Sequence, residues 1–269
     1  MFRKIKNATD FIEKKLGKID VAIITGTGID IEIKGNKLKK LLYSEVPGMP
    51  IPSTKSHKGY FEFYKKGNLN VVVAFGRFHY YEKYSMQEVV FLPRVLGLAG
   101  AKLVILTNAA GGLNPLFKKG DLMVVKDHIN LMGANPLKGD NIEELGEKFP
   151  DMSEPYTLKY AEKLKKTALS VGEQLREGIY VGVSGPSMET PAETRFFRLI
   201  GGDAIGMSTI PEVIALNHMG VDRMAVSVIT NVNLPDCMEK APIDEVISVA
   251  KSASKRLSKI INRFLEEGL

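Results

Sequence analysis

Five short apolar runs in this chain each stop at glycine, asparagine, serine or threonine. They are ITGTG (24 to 28), FGRFH (75 to 79), LTNAAGG (106 to 112), VSGPSME (183 to 189) and VITNVN (228 to 233). Such runs are too short for core helices and are bounded by turn residues, so they read as buried strands. Between them lie helical patterns: residues 6 to 16, 85 to 97 and 155 to 171, ETRFFRLI behind Pro191, PEVIALNHMG with proline at its start and glycine at its end, and an amphipathic stretch over 242 to 265. Alternating strands and helices predict an α/β fold, a three-layer sandwich around a mixed, largely parallel β-sheet. Ligands of such sheets collect at the carboxyl ends of the strands, so the five ends are expected to line one crevice.

Three further segments complete this reading. YFEFYKKGNLNVVVAFG predicts a hairpin turning at Gly67 and Asn68, and DLMVVKDHINL predicts another strand. Residues 132 to 155, rich in glycine, proline and asparagine, form the longest weakly structured connection, a length usually kept for function. A strand from Leu103 to Leu106 is expected to give way to a loop at Thr107. No linker interrupts the pattern, so the 269 residues read as a single domain.

Composition removes several classes. The 25 glycines are scattered, and no run of eighteen apolar residues occurs, which argues against collagen-like and membrane-spanning chains. The amphipathic start MFRKIKNATDFIEKKL lacks the apolar core and cleavage site of a secretory signal. Cys237 is the only cysteine and the four histidines lack zinc-site spacing, so neither a disulfide nor a structural metal is expected. The formal charge of +6 would suit nucleic acid or an anionic small substrate. No recognition helix or aromatic-basic interleave favours nucleic acid.

Several side chains at the strand ends can carry chemistry, each with a plainer alternative. Thr27, between two glycines, offers a hydroxyl and free N–H groups for an oxyanion, or simply sits in a turn. Arg77 and His79 offer a planar fork of donors and an imidazole to a phosphate, unless Arg77 pairs with an acidic neighbour such as Glu82. Asn108 opens a segment where small residues let a ligand approach the backbone. Asn231 can donate to one acceptor and accept from one donor, or cap a turn. Glu189 either receives N–H groups from a ligand or favours the start of the next helix.

The motifs GRFHYYEKYS, LTNAAGGLNPLFKKGDLMVVKDHINL, ANPLKG, YVGVSGPSMETPAETRFFR, GGDAIGMSTIPEVIALNHMGV and VITNVN, in that order, resemble those of the trimeric purine nucleoside phosphorylases. The resemblance spans about residues 20 to 250. It implies a pentosyltransferase that splits 6-oxopurine nucleosides with inorganic phosphate, a co-substrate, and without cofactor or metal. Homotrimers acting in cytoplasmic purine salvage are implied, as is the absence of nucleic-acid or membrane partners. The resemblance assigns phosphate to Thr27, Arg77, His79, Ala109, Ser208 and the loop residue His57. It assigns base and sugar to Tyr81, Met188, Glu189, Met207, Asn231 and Ile243, with Phe149 entering from a neighbouring subunit. Asn231, Glu189, His79 and Arg77 would carry catalysis. Ile243 stands where family members commonly carry a histidine for the ribose 5′-hydroxyl, so related 5′-methylthio nucleosides are a competing substrate class.

Overall fold

Alternate residues of strand β1 (Val21–Ile24) enter two different cores, Val21 and Ile23 one and Ala22 and Ile24 the other. A strand covered on both faces must be apolar throughout, which is why VAII carries no polar residue. The computed structural model describes residues 1–54 and 57–269. On one face of the sheet pack helices α1 (Phe2–Leu16), α2 (Met86–Val89) and α3 (Phe91–Leu98), together with α6 (Ile210–His218). On the other lie α4 (Leu158–Ser170) and α7 (Ile243–Glu266). In α7, Ala250, Ala253, Leu257, Ile260, Ile261 and Phe264 form one buried stripe at three- and four-residue spacing, the mark of a helix lying on a sheet. The three expected layers are therefore present.

The sheet contains β2 (Asn36–Leu42), β3 (Tyr60–Lys66), β4 (Leu69–Phe75), β5 (Leu103–Gly112), β6 (Leu122–Leu131), β7 (Arg176–Val183), β8 (Ala204–Gly206) and β9 (Asp222–Val232) besides β1. Its order is β2-β3-β4-β1-β5-β8-β7-β6-β9, and β9 also pairs with β5. Strands β5, β9, β6, β7 and β8 thus close into a ring, and the open crevice expected from the sequence becomes the mouth of a small barrel. Five of the nine pairings among the described residues are parallel: β1 with β4 and β5, β5 with β9, and β7 with β6 and β8.

The end of β5 departs from the sequence reading. The segment TNAAGG is the second half of β5, held along β9 from Thr107↔Val226 to Gly112↔Val232. Its small residues are there because a strand, not a ligand alone, passes close by. The register shifts at Ala110/Gly111, a bulge that re-aims the end of β9. The remaining helix, α5 (Pro191–Leu199), starts at a reciprocal cap: Thr190 accepts from the Glu193 N–H, and the Glu193 carboxylate accepts from the Thr190 N–H.

The chain between β1 and β2 is extended without joining the sheet. Its Asp30, Glu32 and Lys34 N–H groups donate to Ser254 Oγ (3.1 Å), Ser258 Oγ (3.1 Å) and Asn262 Oδ1 (2.6 Å) on α7. Side chains four residues apart on a helix face line up with alternate residues of an extended chain, so the helix satisfies that backbone.

Candidate active site

The ends of β1, β5 and β9 and the chain following β4, β7 and β8 surround one cavity of about 680 Å³, including the open space at its mouth. At its floor the backbones of β1 and β5 nearly touch: a Cβ on Gly26 would lie 2.7 Å from Thr107 O. Glycine is required there by packing, and Thr27 follows it into the cavity wall.

Thr27, His79, Ala109 and Ser208, expected at phosphate, all line the cavity. Tyr81, Met188, Glu189, Met207, Asn231 and Ile243, expected at base and sugar, line the same space. Three expected residues do not. Phe149 is 85% exposed on an outer groove with Lys148 and Pro150, away from its own chain's cavity. His57 lies buried behind the wall, stacked on His79 with centroids 4.9 Å apart.

Arg77 is the main correction. It is 1% exposed, and each of its five N–H donors has a protein acceptor. Nε donates to Thr25 O, Nη1 to Thr209 Oγ1 and to Glu212 Oε2 at 2.8 Å, and Nη2 to the carbonyls of Ile24 and Thr107. Its donors are thus directed to protein acceptors and not into the cavity. It instead ties β1, β5 and α6 together beneath the cavity. The suggested alternative partner, Glu82, is engaged elsewhere, since its Oε1 receives His79 Nδ1 and the His79 backbone N–H, both at 2.9 Å. Burial would raise the Glu82 carboxyl, but hydrogen bonds from His79 and Ser53 outweigh it and hold the group at about 2. With Nδ1 committed to Glu82, Nε2 is the nitrogen His79 offers to a ligand.

His79 also stacks on Tyr81, with centroids 4.8 Å apart, so His57, His79 and Tyr81 form a continuous column. Burial pushes His57 well below the ordinary imidazole value and lifts the Tyr81 phenol to about 12. Both are neutral near pH 7.

Ser208 is set by an unusual turn. Thr209 has φ 69° and ψ −53°, and Ile210 N–H donates to Ser208 O at 2.7 Å, closing a γ-turn. A β-branched residue at positive φ is strained and persists only where its surroundings hold it. Here Thr209 Oγ1 is held by Arg77 and by Asn108 Nδ2 at 2.9 Å, and contacts Ser208 Oγ at 3.1 Å. Asn108 Oδ1 is buried without a partner among the described residues, and Asn108 lines the cavity. The sequence singled out Asn108 without giving it a role. Thr209 carried no signal that separated it from a helix start.

A second polar chain borders the cavity. Thr230 Oγ1 donates to Asn231 Oδ1 (3.0 Å), Asn231 Nδ2 to Asn233 Oδ1 (2.7 Å), and Asn233 Nδ2 to Glu189 Oε2 (3.0 Å). Glu189 does not cap α5, since Thr190 does that, and its carboxyl is raised above the ordinary range chiefly by burial, with Glu193 adding to the effect. Asn233 was missed as a site residue, although it sits in the VITNVN motif two positions after Asn231.

The cavity thus joins a hydroxyl, imidazole and amide wall on one chain of contacts to a carboxylate–amide chain on another. The chain belongs to the phosphorylase superfamily, whose sequence profile matches residues 20–266. Among its relatives, purine nucleoside phosphorylase 1 of Geobacillus stearothermophilus is 41% identical over 251 residues, covering 92% of this chain and 91% of that one. The purine nucleoside phosphorylase of Rattus norvegicus is 40% identical over 254 residues, covering 91% and 88%. A Schistosoma purine nucleoside phosphorylase in complex with guanosine superimposes with a TM-score of 0.91 at 33% identity, covering 99% of this chain and 97% of that chain. Among the described residues, no helix is long and apolar enough to cross a membrane.

Proposed function

We infer that the chain is a purine nucleoside phosphorylase, which cleaves the N-glycosidic bond of 6-oxopurine ribo- and deoxyribonucleosides with inorganic phosphate. The products are the free base and ribose or deoxyribose 1-phosphate. The observation that carries this reading is a single cavity lined both by Glu189 and Asn231 and by Thr27, His79 and Ser208. The names of the relatives and the guanosine held by the Schistosoma protein point the same way.

In this reading, a phosphate oxygen attacks C1′ while the C1′–N9 bond breaks and its electron pair leaves on the purine. The sugar passes through a cation-like state, so phosphate is both nucleophile and compensating charge. Thr27 and Ser208 hydroxyls, His79 Nε2 and the Ala109 N–H would hold that phosphate. Asn231 would donate to N7 as negative charge grows there, and Glu189 would accept from N1–H. Met188 and Met207 would pack on the base, and Tyr81 on the ribose. Arg77 would act from beneath, by holding the frame. The reaction so drawn uses no metal or cofactor.

The finer readings rest on the family resemblance: a homotrimer in which Phe149, strongly exposed in one chain, enters the neighbour's cavity, and cytoplasmic purine salvage by one catalytic domain. The decisive assay measures free base from inosine, guanosine, adenosine and their 5′-methylthio analogues, with and without phosphate. Phosphate-dependent release from inosine and guanosine is expected. Saturable binding without release would reduce the chain to a nucleoside-binding protein.

A further inference from the structure

Asn233 links two groups that line the main cavity, Asn231 and Glu189, without lining it itself. It is 5% exposed and lies just past the end of β9, between Asn231 and Glu189, beside a recess walled by Met238 to Pro242. Two features place it there. The bulge at Ala110/Gly111 sets the end of β9, and positions two apart on an extended chain share a face, so Asn231 and Asn233 point the same way. Gly111 leaves the space they occupy: a Cβ there would fall 2.9 Å from Asn233 Nδ2 and 3.2 Å from Asn231 Nδ2.

The direction of this chain is dictated at one end. An ionised carboxylate only accepts, so Glu189 requires the NH₂ side of the Asn233 amide. The Asn233 carbonyl is then turned to Asn231, which must meet it with its own NH₂. The Asn231 carbonyl faces the Thr230 hydroxyl, as found. Reversing any one amide sets two acceptors or two donors against each other, which costs more than losing one bond.

We propose that Asn233 is a positioning residue that transmits the acceptor character of Glu189 to Asn231 and so fixes which edge of the base meets the Asn231 N–H. This rests on the phosphorylase reading. A 6-oxopurine presents two neighbouring acceptors, N7 and O6, whereas a 6-aminopurine presents an acceptor beside a donor. An amide locked in one orientation therefore distinguishes them, and an amide free to turn does not.

Two variants test this with kcat and KM for inosine and adenosine at saturating phosphate. Asn233→Asp, assayed at alkaline pH where it and Glu189 are both ionised, still accepts from Asn231 but cannot donate to Glu189, so kcat for inosine stays within about threefold of wild type at the same pH while KM rises. Asn233→Leu, similar in size, leaves Asn231 free to turn, and lowers both kcat for inosine and the inosine-to-adenosine ratio of kcat/KM about tenfold. A packing role alone ranks them the other way, because leucine fills the place better than a second carboxylate beside Glu189. The proposal is overturned if Asn233→Leu matches or exceeds Asn233→Asp in kcat, or keeps the wild-type ratio. Asn233→Ala replaces the leucine variant if circular dichroism shows that one unfolded. Wild-type protein that releases no base from inosine removes the phosphorylase reading instead, before any variant is compared.

Discussion

Arg77 and Glu212 meet at 2.8 Å with both side chains 1% exposed, making a sealed ion pair directly beneath the cavity. Glu212 Oε1 has no partner among the described residues, so the pair leans on Arg77 alone. Removing one charge of such a pair leaves the other buried and uncompensated. Glu212→Gln is expected to destabilise the fold by about 3 to 5 kcal/mol, read from the midpoint of urea unfolding. An unchanged midpoint would contradict the framing role given to Arg77.

Glu189 should set the acidic limit of activity. Burial disfavours its charged form, and Glu193 adds to this, so the proton stays on to a higher pH than the ordinary 4.5. Base recognition that needs the carboxylate is lost as pH falls through that raised value. In a pH profile of kcat/KM for guanosine, the acidic limb is expected above 4.5, and Glu189→Gln should lose both the limb and most of the activity.

Three histidines predict how stability responds to acid. Burial lowers His57, His128 and His218 below the ordinary 6.5, so on acidification the unfolded chain takes up these protons before the folded one. Stability is complete above 6.5 and is lost as pH falls toward the folded values; Glu189, with its raised carboxyl, works in the opposite sense. Urea midpoints should fall between about pH 7 and pH 5, and less steeply in His57→Leu. A flat profile would count against burial of these rings in neutral form.

The cap at Thr190 bears on both stability and the site. Thr190→Ala removes the acceptor for Glu193 N–H and should cost about 1 kcal/mol. Because Glu189 immediately precedes the cap, KM for guanosine should rise with it, measured in initial rates. A stability loss with an unaltered KM would show the two to be independent.

Ile243, the first residue of α7, lines the cavity with Val246 and offers nothing to a 5′-hydroxyl. Ile243→His should raise kcat/KM for inosine relative to 5′-deoxyinosine about tenfold, the worth of one added hydrogen bond. Equal kcat/KM gains on both substrates would place the 5′ position elsewhere.

Much of the fold was written in local pattern. The apolar runs at β1, β4, β6, β7 and β9 and the stripe of α7 were legible because each element's period matches its burial. Strand β2, NKLKKLL, was not, since only Leu41 in it is buried and an exposed edge strand carries no alternation. The strand ends named most of the cavity wall. The placement of Arg77 was not legible because its acceptors are backbone carbonyls, the Thr209 hydroxyl 132 residues away and a glutamate 135 residues away, none of which leaves a mark beside it. Asn233 looked like another turn residue until the bulge brought it into line with Asn231.

The Ser254, Ser258 and Asn262 contacts make α7 behave as a neighbouring strand toward residues 30 to 34. The same helix begins at Ile243, and the chain it grips begins three residues beyond Thr27. Trimming the polypeptide back past Asn262 would therefore unzip a seam whose other end holds both the mouth and the floor of the pocket, so damage at the tail of this protein should surface first as loosened substrate binding.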